Sequence, residues 1–374
     1  MAKATGTTTE ETVPQKKKNE NKDANVPSKE GDDVMKVGKK QKWETQHVRK
    51  SKRMQKPTPA LCSPYVERLT SCDKVKAEEL NLYKAILSSN KDEDDFIWEM
   101  DDVEQLTIGH ASYFQVDVPI HWAIIDCWAA YLNILEKFKS AEAPARLFFH
   151  THMMSDMLLN ETNLEFNRLG DFIEMMNMYI PNWEVKANLI DVALVIFPII
   201  DGDKYYMLCF DLKEGNSKII DHIKRKGTVD RIYGPGPRIV QKIFCHWLAT
   251  VYHPQHIKLM EDEPSIMKME WKVNQLGPNY GIYLMRHMES YRGEVAGKWK
   301  TEVNGKQRND SSCIGRLRYR YMYNLLTSDY NLYRDKVLTI ASKFAKMDVY
   351  KKAKLVDEKN EMTRKNDINH RRSC

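Results

Sequence analysis

Large apolar residues are sparse from residue 1 to 56, where Lys, Asn, Thr and Glu dominate. Such a stretch cannot bury enough surface to offset the entropy of ordering it, so residues 1–56 are expected to be a disordered tail. Residues 57–95 read as a linker, with prolines at 57, 59 and 64 and the acidic run Asp92-Glu93-Asp94-Asp95. Ordered structure is expected from Phe96. Ile120 to Phe138 then places Ile124, Ile125, Trp128, Tyr131, Leu132 and Leu135 at helical spacing, and Leu164 to Tyr179 predicts another helix ended by Pro181. The period changes at Val192–Ile199 (VALVIFPI), a continuous apolar run bounded by Asp191 and Asp201-Gly202-Asp203, which suits a buried strand. Lys204–Leu212 predicts a second strand, Gly215-Asn216 a turn, and Ser217–Asp221 a short third strand. Helical spacing returns over Arg238–Tyr252, Tyr280–Tyr291 and Tyr319–Met347. Adjacent strands between helices predict an α+β architecture.

Composition bounds the function classes. At 42% hydrophobic and 29% charged, the 374 residues can bury a core. No apolar run reaches the ~18 residues of a membrane span, so no membrane contact is expected. The opening MAKATGTTTEE lacks the apolar region of a secretory signal. The seven cysteines are scattered, with neither metal spacing nor a dense disulfide pattern, which fits a reducing compartment.

Charge is unevenly placed. Residues 1–56 carry 15 Lys/Arg against 8 Asp/Glu, so a formal net charge of +6 for the whole chain leaves the remainder near neutrality. The clusters Lys16-Lys17-Lys18, Lys39-Lys40 and Arg49-Lys50-Ser51-Lys52-Arg53 read either as a nuclear-import or nucleic-acid contact or as a solvated tail. Residues 349–374 read as a second basic tail. A nuclear location is favoured over a cytoplasmic one on the tail clusters alone.

Four blocks carry a family resemblance. They are Ile125-Asp126-x-Trp128 with Leu132-Asn133, Arg146–Thr151 (RLFFHT), Lys204–Asp221 (KYYMLCFDLKEGNSKIID), and Trp271–Tyr291 (WKVNQLGPNYGIYLMRHMESY). In this order residues 96–348 resemble plant Ulp-type cysteine proteases, relatives of the SUMO and other ubiquitin-like-protein proteases, in their transposon-associated branch. The resemblance implies a papain-like (Ulp-type) fold with a small central sheet flanked by helices. It also implies a ubiquitin-like protein or its conjugate as partner, and a Cys-His-Asp triad in which a thiolate at a helix start attacks the carbonyl after a diglycine tail.

Carried over by position, the family His falls at Lys204, the Asp is retained as Asp221, and the Cys falls at Tyr280, preceded by Asn279 and followed by Gly281. The oxyanion glutamine falls at Lys272 by spacing, with Gln275 a nearby substitute. Phenols ionise near pH ~10 and are weak nucleophiles without a base. An ammonium has no lone pair with which to take a proton. Nucleophile and base are thus both replaced, and a domain that keeps the fold and loses the reaction is expected. An ion pair between Lys204 and Asp221 is expected in place of the His–Asp contact. The alternatives are a nucleic-acid-associated or protein-interaction module derived from a transposon, and an active peptidase with altered residues. His222, beside Asp221, is expected to face away from the site, as is Cys209. His150-x-His152 has a metal-ligand look but no third ligand at suggestive spacing, so neither metal nor cofactor is expected.

Overall fold

The computed structural model describes residues 69–100, 104–154, 164–179, 188–274, 277–303 and 307–358. The architecture is α+β, a central mixed sheet flanked by helices. Strand β3 (Ala145–Phe148) pairs in parallel with β4 (Val192–Asp201), which pairs antiparallel with β5 (Lys204–Asp211). Next come antiparallel β6 (Asn216–Ile220) and parallel β7 (Ser265–Ile266). A separate two-stranded sheet joins β1 (Phe96–Met100) to β2 (Glu104–Thr107).

The unbroken apolar run of β4 is explained by burial on both faces. Leu194 and Ile196 enter one core with Met207, Cys209 and Ile220. Val195, Phe197 and Ile199 enter the other with Tyr206, Leu208 and Phe210. Alternation along a strand sends successive side chains to opposite faces, and here helices cover each. Pro198, an unusual residue for an inner strand, lies beyond the last β3–β4 pair, Phe148↔Ile196. Among the described residues β4 has no strand partner on the β3 side at that point, so the missing N–H costs little.

The first core gathers α1 (Ala77–Leu87), α3 (Trp122–Glu136), α8 (Tyr280–Ser290), α9 (Gln307–Leu326) and α10 (Arg334–Ala345). The second takes α4 (Glu165–Tyr179), α6 (Gly236–Thr250) and α7 (His256–Glu261). Two short helices, α2 (Ile108–Ala111) and α5 (Val229–Tyr233), lie after β2 and β6.

Several boundaries differ from the sequence expectations. Helix α1 lies inside the stretch read as linker. Its Leu82, Tyr83 and Ile86 are buried, and Arg320 of α9 holds the segment ahead of it through Ser71 O and Lys74 O and its first turn through Glu79. The expected helix Tyr319–Met347 is two helices, broken where buried Asn331 donates to Leu326 O and Ile97 O and accepts from Glu99 N. That side chain caps α9 and docks β1 at once. The second basic tail is helical over 349–358. Cys72 and Cys313 are joined by a disulfide, with Cα atoms 5.0 Å apart, a pairing that scattered spacing did not announce. The basic segment 1–56 and Pro181 lie outside the described residues. Among the described residues no helix is long and apolar enough to cross a membrane.

Candidate functional site

Three elements bring the family-matched positions to one end of the sheet. Lys204 opens β5, Asp221 follows β6, and Tyr280 opens α8. Helix α8 can start there because Gly281 lets it approach Ile120. A Cβ on Gly281 would stand 2.6 Å from the Ile120 Cβ. Arg318 of α9 fixes the same corner, donating to Tyr113 O, Gln115 O, Pro278 O and Asn279 Oδ1. Burial lowers that guanidinium to about 10, against the raising effects of Tyr83 and Asp117.

The position that meets residue 280 is Tyr205. The Tyr205 and Tyr280 rings stack with centroids 5.7 Å apart and an interplanar angle of 25°. Tyr205 packs on the α8 side of the sheet, and its phenol is raised by burial. Two apolar ring faces therefore meet at the helix start where the resemblance calls for a thiol, and the ring that meets Tyr280 belongs to the neighbour of Lys204, the residue at the imidazole's position.

The expected Lys204–Asp221 ion pair is replaced by two other pairings. Lys204 Nζ lies 2.8 Å from Asp201 Oδ2. The cause is local: Gly202 and Asp203 form a two-residue hairpin turn, with Gly202 at φ +57°, and Asp201 pairs directly with Lys204 across it. Asp221, 1% exposed, is held by its own loop. Its Oδ1 accepts from Ile223 N at 2.7 Å, and its Oδ2 accepts from Arg225 Nε at 2.8 Å and Tyr233 OH at 2.9 Å. Burial, with Asp221 adding to it, raises the Tyr233 phenol, so it stays a donor. The Asp221 carboxylate is the centre of a loop clamp, and among the described residues its partners are Ile223, Arg225 and Tyr233.

His222 turns to the face opposite Asp221, which is the α8 side that also holds Tyr205 and Cys209, so the expectation that His222 and Cys209 face away from the helix opened by Tyr280 is not met. The His222 ring lies 3.9 Å from that of Tyr283, and its Nδ1 is 3.1 Å from His287 Nε2. Burial, helped by Lys272, lowers His222 to about 3, and burial likewise lowers His287. Both imidazoles are neutral core groups at pH 7. Lys272 is half-buried and lowered by that burial, against the opposing pull of Asp221. Gln275 lies outside the described residues.

No family model matches the chain, and no curated protein matches it. Among solved structures, it is similar to the SUMO protease Ulp1 with its catalytic cysteine oxidised to a sulfenic acid. That match has 10% identity, covers 69% of this chain and 99% of the other, and has a TM-score of 0.46. It is similar to the C-terminal Ulp1 protease domain in complex with Smt3, the yeast orthologue of SUMO, at 10% identity, 69% and 99% coverage and a TM-score of 0.44. The catalytic domain of the Chaetomium thermophilum Ulp1-like SUMO protease is a third, at 12% identity, 68% and 90% coverage and a TM-score of 0.44.

None of the thiols among the described residues is set up as a nucleophile. Cys127, Cys209 and Cys245 are buried, and burial raises each, Cys245 to about 12. Thiolate chemistry needs the opposite shift. Sequence reasoning missed one group of side chains, Glu104 and Asp126 beside His150 and His152. The carboxylates precede the His pair by 46 and 24 residues, so no spacing rule could have found them.

Proposed function

We propose that residues 96–348 are a Ulp-type protease-like domain that has lost the peptidase reaction and keeps its scaffold to bind a ubiquitin-like protein. The observation that carries this reading is the Tyr205–Tyr280 stack at the start of α8, with Asp221 committed to Arg225 and Tyr233. Nucleophilic catalysis by such a domain needs a thiolate, a base within hydrogen-bond reach and an orienting acid. Removing either of the first two members of such a unit costs several orders of magnitude in rate. Here Tyr280, stacked on Tyr205, stands at the nucleophile's position, and Lys204, paired with Asp201, stands at the base's.

The test uses the full chain with two reagents: unmodified ubiquitin-like proteins, SUMO among them, and the same proteins carrying a C-terminal electrophile. Saturable binding of one of them without covalent labelling supports the proposal. Labelling that disappears when one cysteine is replaced overturns the loss of chemistry, and absence of binding to the whole set overturns the binding role.

The net charge of residues 1–56 favours a second role, a contact between that segment and nucleic acid, which would also suit a nuclear protein. DNA binding that falls steeply with salt and vanishes on deleting residues 1–56 supports it. Salt-independent binding, or binding that survives the deletion, counts against it.

A further inference from the structure

Glu104 opens β2, Asp126 lies in α3, His150 follows β3, and His152 sits in the 3-10 turn Thr151–Met154. One donor atom from each comes within 4.8 Å of the other three. His150 Nδ1 is 2.9 Å from Glu104 Oε1. His152 Nδ1 is 3.2 Å from Asp126 Oδ2 and 3.7 Å from Glu104 Oε1. Nitrogen and oxygen ligands bind zinc at about 2.0–2.2 Å, which sets tetrahedral donors roughly 3.4 Å apart. The observed separations bracket that value. We propose that Glu104, Asp126, His150 and His152 form a site for a single divalent transition-metal ion of the zinc type.

The bland alternative is a buried hydrogen-bonded network. Three features favour the ion. His150 Nδ1 meets Glu104 Oε1, and His152 Nδ1 meets Asp126 Oδ2 with Glu104 Oε1 only 3.7 Å away, so two imidazole nitrogens and two carboxylate oxygens from four separate segments converge on one point. Asp126 is fully buried and Glu104 is 7% exposed. Two carboxylates this close in a low-dielectric setting oppose one another, and a doubly charged cation offsets both while the imidazoles stay neutral ligands. Asp126 is also oriented from behind, accepting from Thr151 N at 2.5 Å and from Thr151 Oγ1 at 2.9 Å. Hydrogen bonds of this kind commonly hold ligating carboxylates in place.

The donor set fixes the class of ion. Two imidazoles and two carboxylates suit a tetrahedral zinc-type cation, whereas magnesium and calcium require six or more oxygens. Four protein donors fill the shell, so the role is structural, fastening β2 and the end of β3 to α3. His152, with its side chain 40% exposed, gives the ion a way in. The inference is independent of the protease-like reading.

The test is metal analysis and zinc titration of the full chain after chelator treatment, alongside the variants His152→Gln and Glu104→Gln. The expected result is one equivalent of zinc in the parent chain and a thermal midpoint that rises with zinc but not with magnesium. His152→Gln, a change at a half-exposed position, is expected to fold normally and to bind zinc at least ~10²-fold more weakly. Equal zinc uptake by parent and His152→Gln, or none by the parent, overturns the site. A Glu104→Gln chain that folds and still binds at parental affinity overturns it too.

Discussion

Replacing Asp221 by Asn separates a structural carboxylate from a catalytic one. Asn keeps one oxygen for Ile223 N but turns an NH2 group toward two donors, Arg225 Nε and Tyr233 OH. The tyrosine can rotate its hydroxyl to accept. The guanidinium cannot, so a charge-assisted bond becomes a donor–donor conflict. Such bonds contribute about 1.5–3 kcal/mol each, and breaking a buried ion pair costs about 3–5 kcal/mol. The Arg225 side chain is 19% exposed and can partly rehydrate, which places the expected loss near the lower end, at about 3 kcal/mol. With a urea slope of about 1–3 kcal/mol per molar, the denaturation midpoint should fall by roughly 1 M or more. Equilibrium urea unfolding followed by tryptophan fluorescence reads this directly. A midpoint within ~0.2 M of the parent would refute the clamp, because no other assignment of those three bonds makes the substitution harmless.

Three further outcomes follow from the same geometry. His222 and His287 have folded pKa values below the unfolded value near ~6.5. Their neutral forms therefore contribute stability that is present above that pH and lost as pH falls toward about 3 for His222. Between pH 6.5 and 5 each of the two should lose about 1.7 kcal/mol, and the pH dependence of unfolding should be flatter for His222→Gln over that window; equal slopes would contradict the assignment. Gly281→Ala should destabilise by about 1–3 kcal/mol, since the clash is with the immobile Cβ of Ile120 and exceeds the ~1 kcal/mol gain in helix propensity. A raised thermal midpoint would show that the approach is looser than described. Tyr280→Cys combined with Lys204→His should give a thiol that iodoacetamide modifies but no cleavage of a ubiquitin-like fusion, because Asp221 remains with Arg225 and Tyr233. Hydrolysis by that double variant above the parent rate would sink this argument.

Local signals made the sheet hairpin and several helices readable. The β4 run had no polar interruption because both its faces are covered, and α6 carried one apolar stripe from Ile239 to Val251. The hairpin turn after Asp201 was visible too, and so was the Lys204–Asp201 pairing it dictates, had the turn been weighed against the family's distant Asp. Parallel pairing of β3 with β4 was not legible, because its partners lie more than forty residues apart and no turn joins them. Helix α1 was hidden for a related reason: what fixes it is Arg320 and the first core, contributed by the far end of the chain. At the candidate site, the residue types at positions 204, 221 and 280 were readable and their partners were not. That Tyr205 meets Tyr280 depends on which strand face turns toward α8, and chemical type does not reveal that.

The two cores differ in how much chain each must wait for. Every buried member of the second lies between Phe149 and Leu259, whereas the first runs from Leu82 to Val337. A chain growing from its N-terminus completes the second set while α8, α9 and α10 have yet to emerge. The sheet can therefore complete its α6-covered side first, while the face carrying Leu194, Ile196, Met207 and Cys209 has only the earlier helices α1 and α3 until α8, α9 and α10 arrive. During synthesis that half-covered face is apolar surface open to aggregation.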